Sequence, residues 1–218
     1  MNLYLASSFR GSGVADLILN DIAKKLKKPT SEIMISYITT AGNLHPVDQR
    51  TWIDEGREIL QAHGCMVFDY DIEGKTEEQV GAELRDKDVI FVQGGNTFYL
   101  LVEMQKCNFE YVLKQLLDKG KFYIGESAGS IVAANDIRAS GDLTTDKPLS
   151  SELKDYHGLG LVNFLIRPHW NNARKKEVYL EVLREKLDKA YDIRQPLIFL
   201  NDNQLVYVES DKFQIWEG

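Results

Sequence analysis

Two rhythms of apolar residues alternate along this chain. Short unbroken hydrophobic runs, beginning with Leu3-Tyr4-Leu5-Ala6, are followed by stretches in which apolar residues return every three or four positions. The first pattern fits a strand buried on both faces, and the second fits a helix with one covered face. A strand over Asn2 to Ser8 therefore leads into a helix to about Lys28. There Val14, Leu17, Ile18, Ile22 and Leu26 share a face, while Asp21, Lys24, Lys25 and Lys27 take the wet side. The same alternation predicts strands over Glu32 to Thr39 and Met66 to Tyr70, separated by a helix from Val47 to His63. Gly64 stands where a C-terminal cap belongs. Thr76-Glu77-Glu78-Gln79 has capping-box chemistry and opens a helix to about Lys87. Asp88 to Gln93 is the fourth strand, and helical patterns over Phe98 to Cys107 and Phe109 to Lys119 lead to a fifth, Lys121 to Glu126. A small-residue helical pattern follows it, and further strands are expected at Leu161 to Ile166, Pro196 to Leu200, Gln204 to Glu209 and Lys212 to Trp216.

Strands alternating with helices imply βαβ units, hence an α/β fold with a mainly parallel sheet, helices on both faces and hairpin strands at the C-terminus. At 218 residues and 44% hydrophobic content, one domain over 1–218 is the expectation. The formal charge of −7 without a basic stripe speaks against nucleic acid as a partner. The N-terminus has no basic start followed by a long apolar run, and no stretch approaches the roughly 20 apolar residues of a membrane span. A cytoplasmic protein is expected, acting as a monomer or homodimer, with no membrane partner. Cys65 and Cys107 lack CxxC spacing and read as buried structural thiols. Neither a cofactor nor a metal is called for.

Two places carry chemistry. Gly125-Glu126-Ser127-Ala128-Gly129 follows a strand and precedes a helical pattern, the context of a nucleophile elbow. The helix after it would aim its N-terminus at a developing oxyanion. Gly94-Gly95-Asn96-Thr97 ends the fourth strand, where glycines let backbone N–H groups approach a ligand and Asn96 adds a polar contact; a tight turn with a helix cap is the alternative. Both places fall at strand carboxyl ends, where ligands bind in such sheets. By contrast Gly11-Ser12-Gly13 lacks a Gly-Lys-Ser/Thr ending and a full GxGxxG, and reads as a plain turn.

A serine nucleophile needs a base. Of the four histidines, His45 lies in a loop, His63 ends a helix and His157 sits in a turn, while His169 follows an apolar strand through Arg167-Pro168. It is the candidate base. Asp202, in Asn201-Asp202-Asn203 after another apolar strand, is the candidate acid; Asp136 is the rival, and Asn-Asp-Asn can also serve as turn chemistry.

Taken together, Gly94-Gly95-Asn96-Thr97-Phe98, Gly125-Glu126-Ser127-Ala128-Gly129-Ser130, Asn135-Asp136, Pro168-His169 and the strand ending near Asp202 resemble the peptidase E (aspartyl dipeptidase) family of serine peptidases, over nearly the whole chain. The resemblance implies a fold related to class I glutamine amidotransferases, with Ser127 as nucleophile, His169 as base and an acid near Asp202. It also implies an oxyanion hole from Gly95 and Ala128, substrate contacts at Gly94 and Asn96, and a small peptide substrate with an acidic N-terminal residue. A basic side chain beyond the histidine reads that acid in the family, and Arg174 is the candidate here; an ordinary solvated helix start is the alternative for Asn171 to Glu177. The sequence departs from the family in placing Asp202 where glutamate is associated with the acid. An esterase with the order Ser, Asp, His, and a catalytically silent binding protein on the same fold, are the other readings; a glutamine amidotransferase would want cysteine at position 127.

Overall fold

The computed structural model describes residues 1–10, 13–140, 152–171, 176–210 and 212–218, with backbone alone for 176–182. A seven-stranded sheet forms its centre. The strands are β1 (Asn2–Ala6), β2 (Met34–Ile38), β3 (Met66–Tyr70), β4 (Val89–Val92), β5 (Phe122–Glu126), β8 (Gln204–Glu209) and β9 (Lys212–Glu217), in the order β3-β2-β4-β5-β1-β8-β9. β3 through β1 run parallel, whereas β8 joins β1 antiparallel and pairs with β9 as the C-terminal hairpin.

The unbroken apolar runs are explained by what covers them. Along β1, Leu3 and Leu5 enter one core and Tyr4 and Ala6 the other; along β4, Ile90 and Val92 divide from Val89 and Phe91 in the same way. Successive side chains leave a strand on opposite faces, so a strand covered on both sides needs apolar residues throughout. Helices α1 (Val14–Leu26) and α2 (Thr51–Ala62) cover one face through Ile18, Leu19, Ile22, Ile53 and Leu60. On the other, α3 (Glu77–Leu84), α4 (Thr97–Lys106) and α5 (Phe109–Asp118) contribute Leu84, Phe98, Leu101, Phe109 and Leu113. The capping box of α3 forms as its sequence implied, with Thr76 and Gln79 exchanging side-chain and backbone hydrogen bonds. α2 begins later than its periodicity suggested, since Val47–Gln49 closes a 3-10 turn instead. Cys65 and Cys107 are buried and free, and burial pushes both thiols up to about 11.

Two expectations change. The helix after the elbow, α6 (Ala128–Ile131), is a single turn. Beyond it the chain turns to the 157–162 segment, where the carbonyls of Val132, Ala133 and Ala134 accept the N–H groups of Leu159, Leu161 and Gly160. So short a helix has no sustained macrodipole, and the expected dipole effect on an oxyanion falls away. Secondly, the strand expected at Leu161 to Ile166 divides: Val162 bridges Ala134, and β6 (Leu165–Arg167) pairs in parallel with β7 (Leu197–Phe199) in a separate two-stranded sheet. Asn201-Asp202-Asn203 is therefore a passage from this small sheet to β8 of the large one. Last in the helical series, α7 (Lys176–Asp192) links β6 to β7. No helix among the described residues is long and apolar enough to cross a membrane.

Candidate active site

β5 delivers Ser127 at a backbone that L residues avoid, φ 50° and ψ −104°. Such a conformation costs on the order of 1–3 kcal/mol and persists only where its surroundings hold it. Here Ser127 N–H donates to Ala6 O at 3.1 Å, Tyr123 Oη donates to Gly129 O at 2.7 Å, and Ser130 Oγ lies 2.7 Å from both Ala6 O and Gly125 O. The flanking glycines are steric requirements. A Cβ on Gly125 would stand 2.6 Å from the Gly129 carbonyl, and one on Gly129 would stand 2.2 Å from Val92 O.

His169 arrives from β6 with φ 63°, again left-handed. Its Nε2 is 2.9 Å from Ser127 Oγ, and its Nδ1 is 2.5 Å from Asp202 Oδ1. Asp202 N–H donates to Asn171 Oδ1 at 3.1 Å, and Trp170 N–H to Leu200 O at 3.0 Å, which ties the segment after β6 to the one after β7. Of the two carboxylates weighed from the sequence, Asp202 meets the imidazole, and Asp136 instead pairs with Arg138 at 2.8 Å. The other histidines are engaged elsewhere: His45 against Trp52, His63 with Ile59 O and Asp16, His157 with Glu110.

The glycine loop after β4 passes directly beside Ser127. A Cβ on Gly94 would lie 3.1 Å from Ser127 Cβ. Gly95 has φ 152°, accessible without strain to glycine alone. The peptide joining the two is held by Trp52 Nε1, which donates to Gly94 O at 3.2 Å, and the peptide after it by Asn96 N–H, which donates to Ala41 O at 2.8 Å. In a trans peptide C=O and N–H point oppositely, so holding the Gly94 carbonyl on Trp52 turns Gly95 N–H to the far side of the loop. Neither Gly95 N–H nor Ala128 N–H has a hydrogen-bond acceptor among the described residues. Asn96 Oδ1 caps α4 by accepting Tyr99 N–H at 2.9 Å. Arg174 lies outside the described residues.

Beneath the site runs a polar layer that pattern reasoning missed. Gln93 Oε1 accepts Gly94 N–H at 2.6 Å, and its Nε2 bonds Tyr37 Oη and Trp52 O. Glu126, one residue before Ser127, is 3% exposed; its Oε1 stands 4.0 Å from Arg10 Nε and its Oε2 has no hydrogen-bond partner among the described residues. Burial pushes this carboxyl up to about 7, against the milder pull of the Phe9 backbone and Arg10. Ser7, fully buried at the end of β1, has its Oγ 2.7 Å from His169 N and 3.0 Å from Asp202 Oδ1. A polar residue ending an apolar strand, as Ser7 and Gln93 do, is the sequence signal for such positions.

The chain as a whole is similar to proteins of known family. An uncharacterized peptidase of Listeria monocytogenes is 31% identical over 189 residues, 87% of each chain, and one of Pasteurella multocida is 29% identical over 96% of this chain and 94% of its own. Peptidase E of Shewanella amazonensis is 31% identical over 61% of this chain and 55% of its own. The crystal structure of a Listeria monocytogenes protein assigned as a peptidase E superposes with a TM-score of 0.79 at 24% identity, covering 99% of this chain and 98% of that one. The crystal structure of a peptidase from an acI-B1 actinobacterium shares the fold at a TM-score of 0.70 and 17% identity, over 100% of this chain and 87% of that one. The model of peptidase family S51 matches residues 3–216, so nearly every element that builds the elbow and its surroundings lies within the match, and the chain belongs to that family of peptidases.

Proposed function

We propose that this peptidase hydrolyses dipeptides or short peptides through a triad of Ser127, His169 and Asp202, with Gly95 and Ala128 as oxyanion donors. The observation that carries the reading is the continuous line of contacts from Ser127 Oγ to His169 Nε2 at 2.9 Å and from His169 Nδ1 to Asp202 Oδ1 at 2.5 Å. On this reading His169 Nε2 takes the hydroxyl proton as Ser127 Oγ attacks the peptide carbonyl. Asp202 fixes the tautomer with the proton on Nδ1 and stabilises the imidazolium that forms. The carbonyl oxygen, now negative, turns to the N–H groups of Gly95 and Ala128, which have no other acceptor among the described residues. His169 then protonates the leaving amine, and water repeats the sequence on the acyl-enzyme. Gly94 and Asn96 border the bound peptide. An acidic N-terminal residue is the preferred substrate feature, in line with the similarity to proteins named peptidase E.

The test is a panel of dipeptides and short peptides with varied N-terminal residues, Asp-X included, beside labelling of the folded protein with a fluorophosphonate. Ser127→Ala is expected to abolish labelling and to lower hydrolysis by several orders of magnitude. Cleavage and labelling that persist in Ser127→Ala would refute the assignment.

A further inference from the structure

The three proposed reacting residues come from separate segments, after β5, after β6 and after β7, and the carboxyl end of β1 touches all three. Ala6 O accepts Ser127 N–H at 3.1 Å. The next residue, Ser7, reaches the other two: its Oγ accepts His169 N–H at 2.7 Å and stands 3.0 Å from Asp202 Oδ1 and 3.3 Å from Leu200 O. A hydroxyl has one proton to give, and the nearer, charged carboxylate takes it over the carbonyl.

We propose that Ser7 is a positioning residue that sets base and acid in register through its single hydroxyl. The inference rests on the reading of Ser127, His169 and Asp202 as the reacting unit. Two consequences follow from the geometry. His169 holds a left-handed backbone at φ 63°, and the Ser7 oxygen gives its N–H an acceptor in that conformation. Asp202 Oδ1 receives two donors, the Ser7 hydroxyl and His169 Nδ1–H, so the carboxylate is held in place while the imidazole gains the serine proton. Ser7 touches no reacting atom and exchanges no proton with substrate. Its site is fully buried, so no water can replace the hydroxyl without rearrangement.

Ser7→Ala and Ser7→Thr separate the hydroxyl from the packing. In Ser7→Ala, kcat and the rate of fluorophosphonate labelling are expected to fall together by about 10- to 100-fold with KM unchanged, the effect of orphaning one buried donor and removing one charge-assisted hydrogen bond. Ser7→Thr restores most of the rate. The low-field proton resonance of His169 Nδ1–H, which needs no substrate, shifts in Ser7→Ala and holds its position in Ser7→Thr. Wild-type kcat with an unshifted resonance in Ser7→Ala would overturn the proposal, and so would equal losses in the two variants, which would mark a packing role. Should Ser7→Ala not fold, Ser7→Cys keeps the shape with a weak donor, and wild-type kcat in that variant overturns the proposal equally. Labelling that survives in Ser127→Ala marks failure of the underlying triad instead, because the Ser7 readouts are scored against a wild-type signal that Ser127→Ala removes.

Discussion

Replacing Glu126 by glutamine tests the buried layer under the elbow. The side chain is 3% exposed, Oε2 has no hydrogen-bond partner among the described residues, and the cation beside Oε1, Arg10 at 4.0 Å, is shared with Glu55 at 2.6 Å. Burial carries the carboxyl from its ordinary 4.5 to about 7. That difference corresponds to about 3 kcal/mol of folding free energy once the group is ionised in both states. The sign follows from which state holds the proton. Between 4.5 and 7 the folded protein keeps it and the unfolded chain has released it, so stability falls as pH rises through this window. Below the window the effect is absent, and above it the loss is complete. Glutamine preserves the shape of the neutral acid and cannot ionise. Chemical denaturation of both proteins from about pH 5 to about pH 8 isolates the contribution, because other titrating groups cancel in the difference. Glu126→Gln is expected to gain little at the acid end and about 3 kcal/mol relative to wild type at the alkaline end. Two parallel stability curves would refute the reasoning, since they would mean that the ionised carboxylate is fully compensated where it sits.

Trp52→Phe keeps the ring and removes the Nε1 donor to Gly94 O, so the Gly94-Gly95 peptide loses the bond that fixes its plane. Steady-state kinetics are expected to show kcat lower by about tenfold or more with KM little changed, and a Trp52→Phe enzyme that binds and turns over like wild type would show that the loop orients itself. Asp202→Asn is expected to cost about 10^3- to 10^4-fold in kcat, through the wrong histidine tautomer, in the same assay in which Asp136→Asn stays near wild type. The reverse ranking would reassign the acid and with it the chain order of the site.

By itself, the sequence determined the strand and helix pattern, because burial on both faces forces strands to be apolar throughout and burial on one face gives helices their three-to-four spacing. It also marked the elbow, since only glycine fits where Gly125 and Gly129 meet backbone atoms, and those positions are readable without a fold. The pairing of Ser127 with His169 was legible as a constellation, each residue following an apolar strand. What the sequence could not carry is where non-local segments meet. Strand periodicity reports burial and not partners, so β6 and β7 look like members of the main sheet although they pair only with each other. The small residues after Ser127 have helical spacing, yet α6 ends after one turn and the chain beyond it bonds to the 159–161 backbone. The choice between Asp136 and Asp202 hung on which carboxylate crosses to His169 Nδ1, a distance set by the passage from β7 to β8. Tertiary structure alone brings Ser7, Trp52, Gln93 and Glu126 under the site. Each is one polar residue whose meaning lies in an atom contributed by a distant part of the chain, and no local spacing encodes that contact.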